Sequence, residues 1–195
     1  MNDPPSFEGS YHQSVEDAPR QFVNNFAQHI VKGPEDETSQ NVTFHILNCS
    51  NPDLFEEMPV LSSNGSLTYK SKPDAFGEAI LEIKITDDGP DDPPDVASGN
   101  TEQCTITVKP VNDPPSFTMG QFPDYISEDS GYRKVIQWAK DIYLGPVNEQ
   151  DQTPGFVVNN DNPDLFQSSR ISRRKVIWNM KQLPMNLGLQ KLVSV

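Results

Sequence analysis

The chain has 195 residues and a formal net charge of −13, from 28 acidic and 15 basic groups. That balance argues against a nucleic-acid partner, whose phosphates must be met by lysine and arginine, and favours cations instead. Leu, Ile, Val and Phe number 47, roughly a quarter of the chain, which suffices for one modest core or two small ones. No run approaches the ~20 apolar residues of a membrane span, and Met1-Asn-Asp-Pro-Pro5 has neither the basic start nor the apolar stretch of a secretion signal. The sequence therefore reads as an internal fragment.

Asn2-Asp-Pro-Pro-Ser-Phe7 returns unchanged as Asn112-Asp-Pro-Pro-Ser-Phe117. Glu16-Asp17 then matches Glu128-Asp129, Phe26-Ala27 matches Trp138-Ala139, Gly33-Pro34 matches Gly145-Pro146, and Asn51-Pro-Asp-Leu-Phe55 recurs as Asn162-Pro-Asp-Leu-Phe166. Ordered matches at nearly constant offset indicate a tandem array whose period is the size of one domain. The second copy ends near the counterpart of Ile83 and Lys84 and has no partners for residues 85 to 111.

Along the first copy, Val23, Phe26, Ala27 and Ile30 fit a bulged strand, because convincing helix caps are lacking. Val42, Phe44 and Ile46 then alternate with polar neighbours, as do Leu67 and Tyr69, Leu81, Ile83 and Ile85, and Cys104, Ile106 and Val108. Period two marks strands with one buried face, and the turn-rich pieces between them predict a sandwich. By the same parity His45 and Cys49 share a face, as a chance surface pair, while Cys104 fills the core.

Residues 1 to 111 carry 19 acidic and 6 basic groups, whereas 112 to 195 carry 9 of each. Six basic residues and no acidic one occur from Arg170 onward, and the period-two pattern stops there. Two readings fit: a divergent basic tail, or a frame slip near Arg170. Shifted codons can turn Lys175 to Val193 into a stretch that aligns with Gly65-Ser-Leu-Thr-Tyr69 and Phe76-Gly-Glu-Ala79. The division is then 1–111 for one repeat, 112–169 for the start of a second, and 170–195 for a tail expected to be loose or irregularly packed.

Val15-Glu-Asp17, Asn64-Gly-Ser-Leu-Thr-Tyr69, Asp74-Ala-Phe-Gly77, Ile85-Thr-Asp-Asp-Gly89 and Thr105 through Phe117 together resemble the cadherin-like, Ig-like tandem repeats of very large surface proteins. The resemblance implies an all-β fold of Ig-like (cadherin-like) sandwiches in tandem, seven strands to a repeat, the second incomplete. Each last strand would lead into the next repeat through Val111-Asn-Asp-Pro-Pro115. In the strand order that the resemblance implies, the strands carrying Cys49 and Cys104 run the same way, so the two cysteines are expected to stay unbonded, toward opposite ends of the sandwich. Two consecutive prolines favour an extended, stiff path there.

More distantly, cadherins hold calcium between domains. Carried over by motif, Glu16, Asp74, Asn112 and Asp113 take ligand positions, and Asp141 stands in for the last motif. The pattern departs at Pro110 and at the missing closing Asn. The competing reading makes Glu16 and Asp17 turn carboxylates and Asn112 and Asp113 caps of the joint. The acidic stretch Asp87 to Asp95 lacks EF-hand spacing, since Ser98 stands where a bidentate Glu is required, and reads as a solvated, proline-stiffened loop.

His12, His29 and His45 have no accompanying nucleophile or carboxylate constellation, so catalysis is not expected. Asn41, Asn48 and Asn64 lie in glycosylation sequons. The reading is a non-enzymatic extracellular or cell-surface repeat that serves as rigid spacer and adhesion segment, with calcium stiffening the joint. Its partners would be neighbouring repeats and a surface protein or polysaccharide. A carbohydrate-binding repeat is the alternative, and it would need exposed aromatics on one sheet face, whereas Phe44, Tyr69 and Phe76 are expected in the core.

Overall fold

Alternation of apolar and polar side chains becomes alternation of burial. Ala79, Leu81, Ile83 and Ile85 are each 0% exposed, and the residues between them reach solvent. They belong to a computed structural model that describes the backbone at residues 1–121, 125–126, 131–157, 166–172, 177–182 and 190–191, and side chains at 1–121 and 131–157. The chain divides into two compact units, Met1–Val111 and Asn112–Val195.

The first unit holds nine strands: β1 (Ser6–Gly9), β2 (Tyr11–Val15), β3 (Gln21–Val23), β4 (Ala27–Val31), β5 (Val42–Cys49), β6 (Phe55–Leu61), β7 (Leu67–Ser71), β8 (Gly77–Asp87) and β9 (Ser98–Lys109). One sheet runs β2-β9-β8-β5, a second runs β3-β7-β6, and β1 pairs with β4. This is an all-β, Ig-like sandwich. Two of its strands are broken. The first changes partner at Ser10, whose hydroxyl donates to the carbonyl of Phe26 at 2.7 Å, so β1 lies antiparallel to β4 while β2 lies parallel to β9. The second is the expected bulged strand: Asn25 and His29 adopt left-handed φ of 55° and 49°, which separates β3 from β4 and kinks the latter.

The core is where the period-two pattern puts it. Leu67, Tyr69, Leu81, Ile83, Ile106 and Val108 are no more than 1% exposed, and Phe44 is 9% exposed. Phe7 meets Phe44 edge-on at 5.1 Å, and Phe55 meets Tyr69 likewise at 5.5 Å, an arrangement aromatic pairs favour. Ile46 only packs against the core's margin. Phe76 departs from expectation and is 43% exposed. It precedes β8 and follows the turn at Asp74, so the parity of the strand does not reach it.

Two cysteine expectations are corrected. Both thiols are free, but the cysteines do not lie at opposite ends. Leu81 of β8 is opposite Cys49 on one side and Cys104 on the other. The pair is thus held apart by one intervening strand, about 10 Å at the usual strand spacing and beyond the reach of a disulfide. β9 begins at Ser98, six residues before Cys104, which is why the sequence misplaced it. Nor does Cys49 share the solvent face of His45. A bulge between Ile46 and Asn48 reverses parity, so Cys49 packs against the core while His45 reaches Thr86 Oγ1 at 2.9 Å.

The second unit contains β10 (Ser116–Met119), β11 (Tyr125–Ile126), β12 (Tyr132–Ile136), β13 (Ala139–Tyr143), β14 (Phe166–Ser172), β15 (Ile177–Gln182) and β16 (Gln190–Lys191). The pairing β10-β13 repeats β1-β4, and the order β12-β15-β14 repeats β3-β7-β6. Even the left-handed residues recur, at Gln137 and Asp141. Phe117, Trp138 and Phe156 pack edge-on, with centroids 5.1 to 5.8 Å apart, where the first unit has Phe7, Phe26 and Phe44. From Arg170 onward, the backbone of 170–172 pairs with 177–179 of β15, and β15 pairs along its other side with β12. The stretches 173–176, 183–189 and 192–195 lie outside the described residues.

Truncating Phe44 to Ala should destabilise the first unit by ~3 kcal/mol or more, as removal of other buried rings does, and urea denaturation measures it. Burial also pushes the Cys104 thiol up to about 11 from its ordinary value of 9.0 and raises the Tyr69 phenol against the lowering effect of its bond to Ser14. A raised folded value means the native state holds the proton more tightly. Stability from the Cys104 thiol should be complete below about pH 9 and disappear as pH climbs through about 11, and Cys104→Ala should flatten that part of the slope in alkaline denaturation.

Candidate metal centre

Parallel pairing of β2 with β9 sets Val15 opposite Lys109, so the first strand's end and the last strand's end meet at one pole of the unit. The ladder continues one step, with the Glu16 N–H donating to the carbonyl of Lys109 at 2.9 Å. Glu16 is 1% exposed and turns Oε1 onto the N–H of Val111 at 2.8 Å. A buried carboxylate needs such donors to offset lost hydration. Glu16 is therefore a brace for the departing backbone.

Asp17, beside it, is exposed and left-handed, with φ of 58°. Asp74 is exposed and left-handed too, at φ of 56°. Aspartate tolerates that conformation better than most residues because its short side chain bonds locally. Here Asp17 Oδ1 accepts the Asp74 N–H at 3.1 Å, which joins the first turn to the turn before β8. Carboxylate oxygens of the two residues lie within 4.8 Å of each other. Like charges so close repel, and a hard divalent cation would relieve them with the oxygen ligands calcium prefers. Such donor chemistry would suit calcium; Asp17 is the exposed carboxylate of the two neighbours, while Glu16 has one oxygen committed to backbone.

Within the second unit, the Asp113 N–H donates to Glu149 Oε1 at 2.9 Å, and Asn112 Oδ1 accepts from Gln152 Nε2 at 2.8 Å. Asn112 Nδ2 turns back to the carbonyl of Asp113 at 3.0 Å. Asp141 sits exposed in the kink of β13, the position of His29 in the first unit, where a histidine bonds Glu8 at 2.9 Å instead. Among the described residues, no group of three carboxylate, histidine or cysteine ligands includes Asp141 or Glu16.

The acidic stretch 87–95 does more than attract solvent. It closes over Asn2, which is 3% exposed. The Asn2 amide donates to Asp87 Oδ1 and to the carbonyls of Pro90 and Val96 at 3.0 to 3.1 Å, and its backbone N–H reaches Asp95 at 2.6 Å. The signal of this in the sequence is that the repeated motif begins with Asn itself.

The three sequons are exposed at Asn41, Asn48 and Asn64. Asn41 already bonds Asp88 through its side chain at 2.9 Å, and that bond holds the Asp88 carboxyl below its ordinary range. His12 packs against the edge of Tyr69, His29 against Glu8 and His45 against Thr86, three separate places. Tyr11 and Phe22, 81% and 72% exposed, belong to opposite sheets and make no common platform for a sugar ring.

Replacing Glu16 by Ala should cost about 1–3 kcal/mol, because the Val111 N–H would lose its partner. Glu16→Gln, which keeps an acceptor, should cost less, and chemical denaturation of both variants checks the order.

No family model matches the chain, and no curated protein matches it. Among solved structures it is similar to the human desmocollin-1 ectodomain, at 16% identity and a TM-score of 0.41. The match covers 94% of this chain and 34% of that one, so the chain spans about a third of the ectodomain's length.

Proposed function

We propose that the chain is a non-enzymatic extracellular repeat module, a spacer and adhesion segment in which calcium stiffens the joint between repeats. The observation that carries this reading is the Asp17–Asp74 carboxylate pair at the pole where the backbone leaves through Val111. Asp113, two residues later in the chain, is the further ligand that its motif position suggests, with Asn112 between them. Asp17 joins Asp74 and Asp113 as the ligands, while Glu16 braces the exit and Asp141 is left out. Further oxygens would come from backbone carbonyls and water, as calcium's six to eight ligands require.

Such a module works mechanically. Sandwiches joined by a short, proline-stiffened peptide hold a distal region away from a surface, and a cation at each joint resists bending. Partners are then the neighbouring repeats and whatever surface protein or polysaccharide the distal region meets. The separation of Tyr11 from Phe22 weighs against the carbohydrate-binding alternative.

Calcium titration of the full chain, followed by calorimetry and thermal melting, tests the reading. Binding should fall near 10⁻⁴ to 10⁻³ M, as in other extracellular modules, and ion at ten times Kd should stabilise by about 1.4 kcal/mol. Asp17→Asn and Asp74→Asn should each abolish the response, and Asp113→Ala should weaken it. A full response in both Asn variants would remove this pair from any calcium site.

A further inference from the structure

The same clamp is built twice, and each time it closes on the motif that opens its own repeat. In the first unit Gly33-Pro-Glu-Asp-Glu37 forms a tight turn in which the Glu37 N–H returns to the carbonyl of Pro34 at 3.0 Å. The Glu37 carboxylate, 5% exposed, folds back and accepts the N–H of Asp3 at 3.0 Å. Three residues on, Gln40 Nε2 donates to Asn2 Oδ1 at 2.6 Å. In the second unit Gly145-Pro-Val-Asn-Glu149 makes the same turn, with the Glu149 N–H 3.0 Å from the carbonyl of Pro146. Glu149, also 5% exposed, accepts the N–H of Asp113 at 2.9 Å, and Gln152 Nε2 donates to Asn112 Oδ1 at 2.8 Å.

Glycine is required at the head of each turn for two reasons. Gly33 and Gly145 have φ of 143° and 128°, a region closed to ordinary side chains. A Cβ at either would also run into the carboxylate of Glu37 or Glu149.

We infer that Gly-Pro-x-x-Glu-x-x-Gln is a dedicated receptor for the Asn-Asp that begins each repeat, and that it fixes the joint peptide to the downstream repeat without metal. The upstream side has its own brace, Glu16 on the N–H of Val111. Pro114 and Pro115 carry no N–H. Between Val111 and Pro115 the joint therefore has three amide donors, and two of them, at Val111 and Asp113, are held by buried glutamates of their own units.

Residue-resolved amide exchange on the full chain in excess EDTA tests the receptor. The Val111 and Asp113 amides should exchange at least about tenfold more slowly than that of Asn112, as local hydrogen bonding confers. Glu149→Ala should release Asp113 alone, leaving Val111 slow, and Glu149→Gln should preserve protection. Glu37→Ala should release Asp3 in the same way, so a fold defect confined to the second unit does not decide the outcome. An Asp113 amide as fast as that of Asn112 in the unaltered chain, or one still protected in Glu149→Ala, overturns the proposal. Protection that appears only on adding calcium would also overturn it, and would leave the calcium reading standing.

Discussion

Buried carboxylates govern how the chain enters and leaves these repeats. Glu16, Glu37 and Glu149 are 1%, 5% and 5% exposed, and a carboxylate stripped of water at that depth must find donors or raise the energy of the fold by several kcal/mol. Each turns to a backbone N–H of the joint peptide or its counterpart at the start of the chain. The joint and the sandwich are consequently interdependent: the peptide supplies donors that the glutamates need, and the glutamates immobilise a peptide whose prolines leave it few donors to offer.

The broken first strand makes this arrangement possible. Had β1 and β2 been one strand, the chain would have remained on one sheet and Glu16 would lie far from the end of β9. Passing from β4 to β9 at Ser10 puts the first strand's end beside Lys109, and the same pole receives Asp17 and, through the turn before β8, Asp74. One sheet switch thus assembles the backbone brace and the carboxylate pair from residues more than fifty positions apart in sequence.

Much of this was legible from alternation alone. Leu81, Ile83, Ile106 and Val108 are inside because they sit two apart in long strands, where parity holds without interruption. Parity failed where the backbone departs from the regular pleat: at Leu47, where a bulge sends Cys49 inward, and at Phe76, which precedes its strand. The candidate site was legible in part. Motif position singled out Glu16, Asp74 and Asp113, but it could not divide labour between Glu16 and Asp17, because only burial distinguishes a carboxylate that braces a backbone from one that faces solvent. The role of Glu37 and Gln40 was hidden for a different reason. Their partners, Asp3 and Asn2, are 34 and 38 residues away and offer a backbone N–H and an amide oxygen, which no spacing rule anticipates.

The second unit shows how far the repeated pattern extends. β11 occupies the sequence position of β2, yet it pairs antiparallel with β16, whereas β2 runs parallel to β9. A strand whose edge is open accepts another partner, since unpaired backbone groups are satisfied by whichever segment can reach them. The β10-β13 and β12-β15-β14 pairings, by contrast, reproduce those of the first unit, as does the Glu149 clamp on Asp113. What persists is the set of contacts made by residues 112–157 with one another and with the strands after Phe166. The joint's downstream grip belongs to that set, so it is complete within a segment of about forty residues and does not depend on the four-stranded sheet that finishes the first unit.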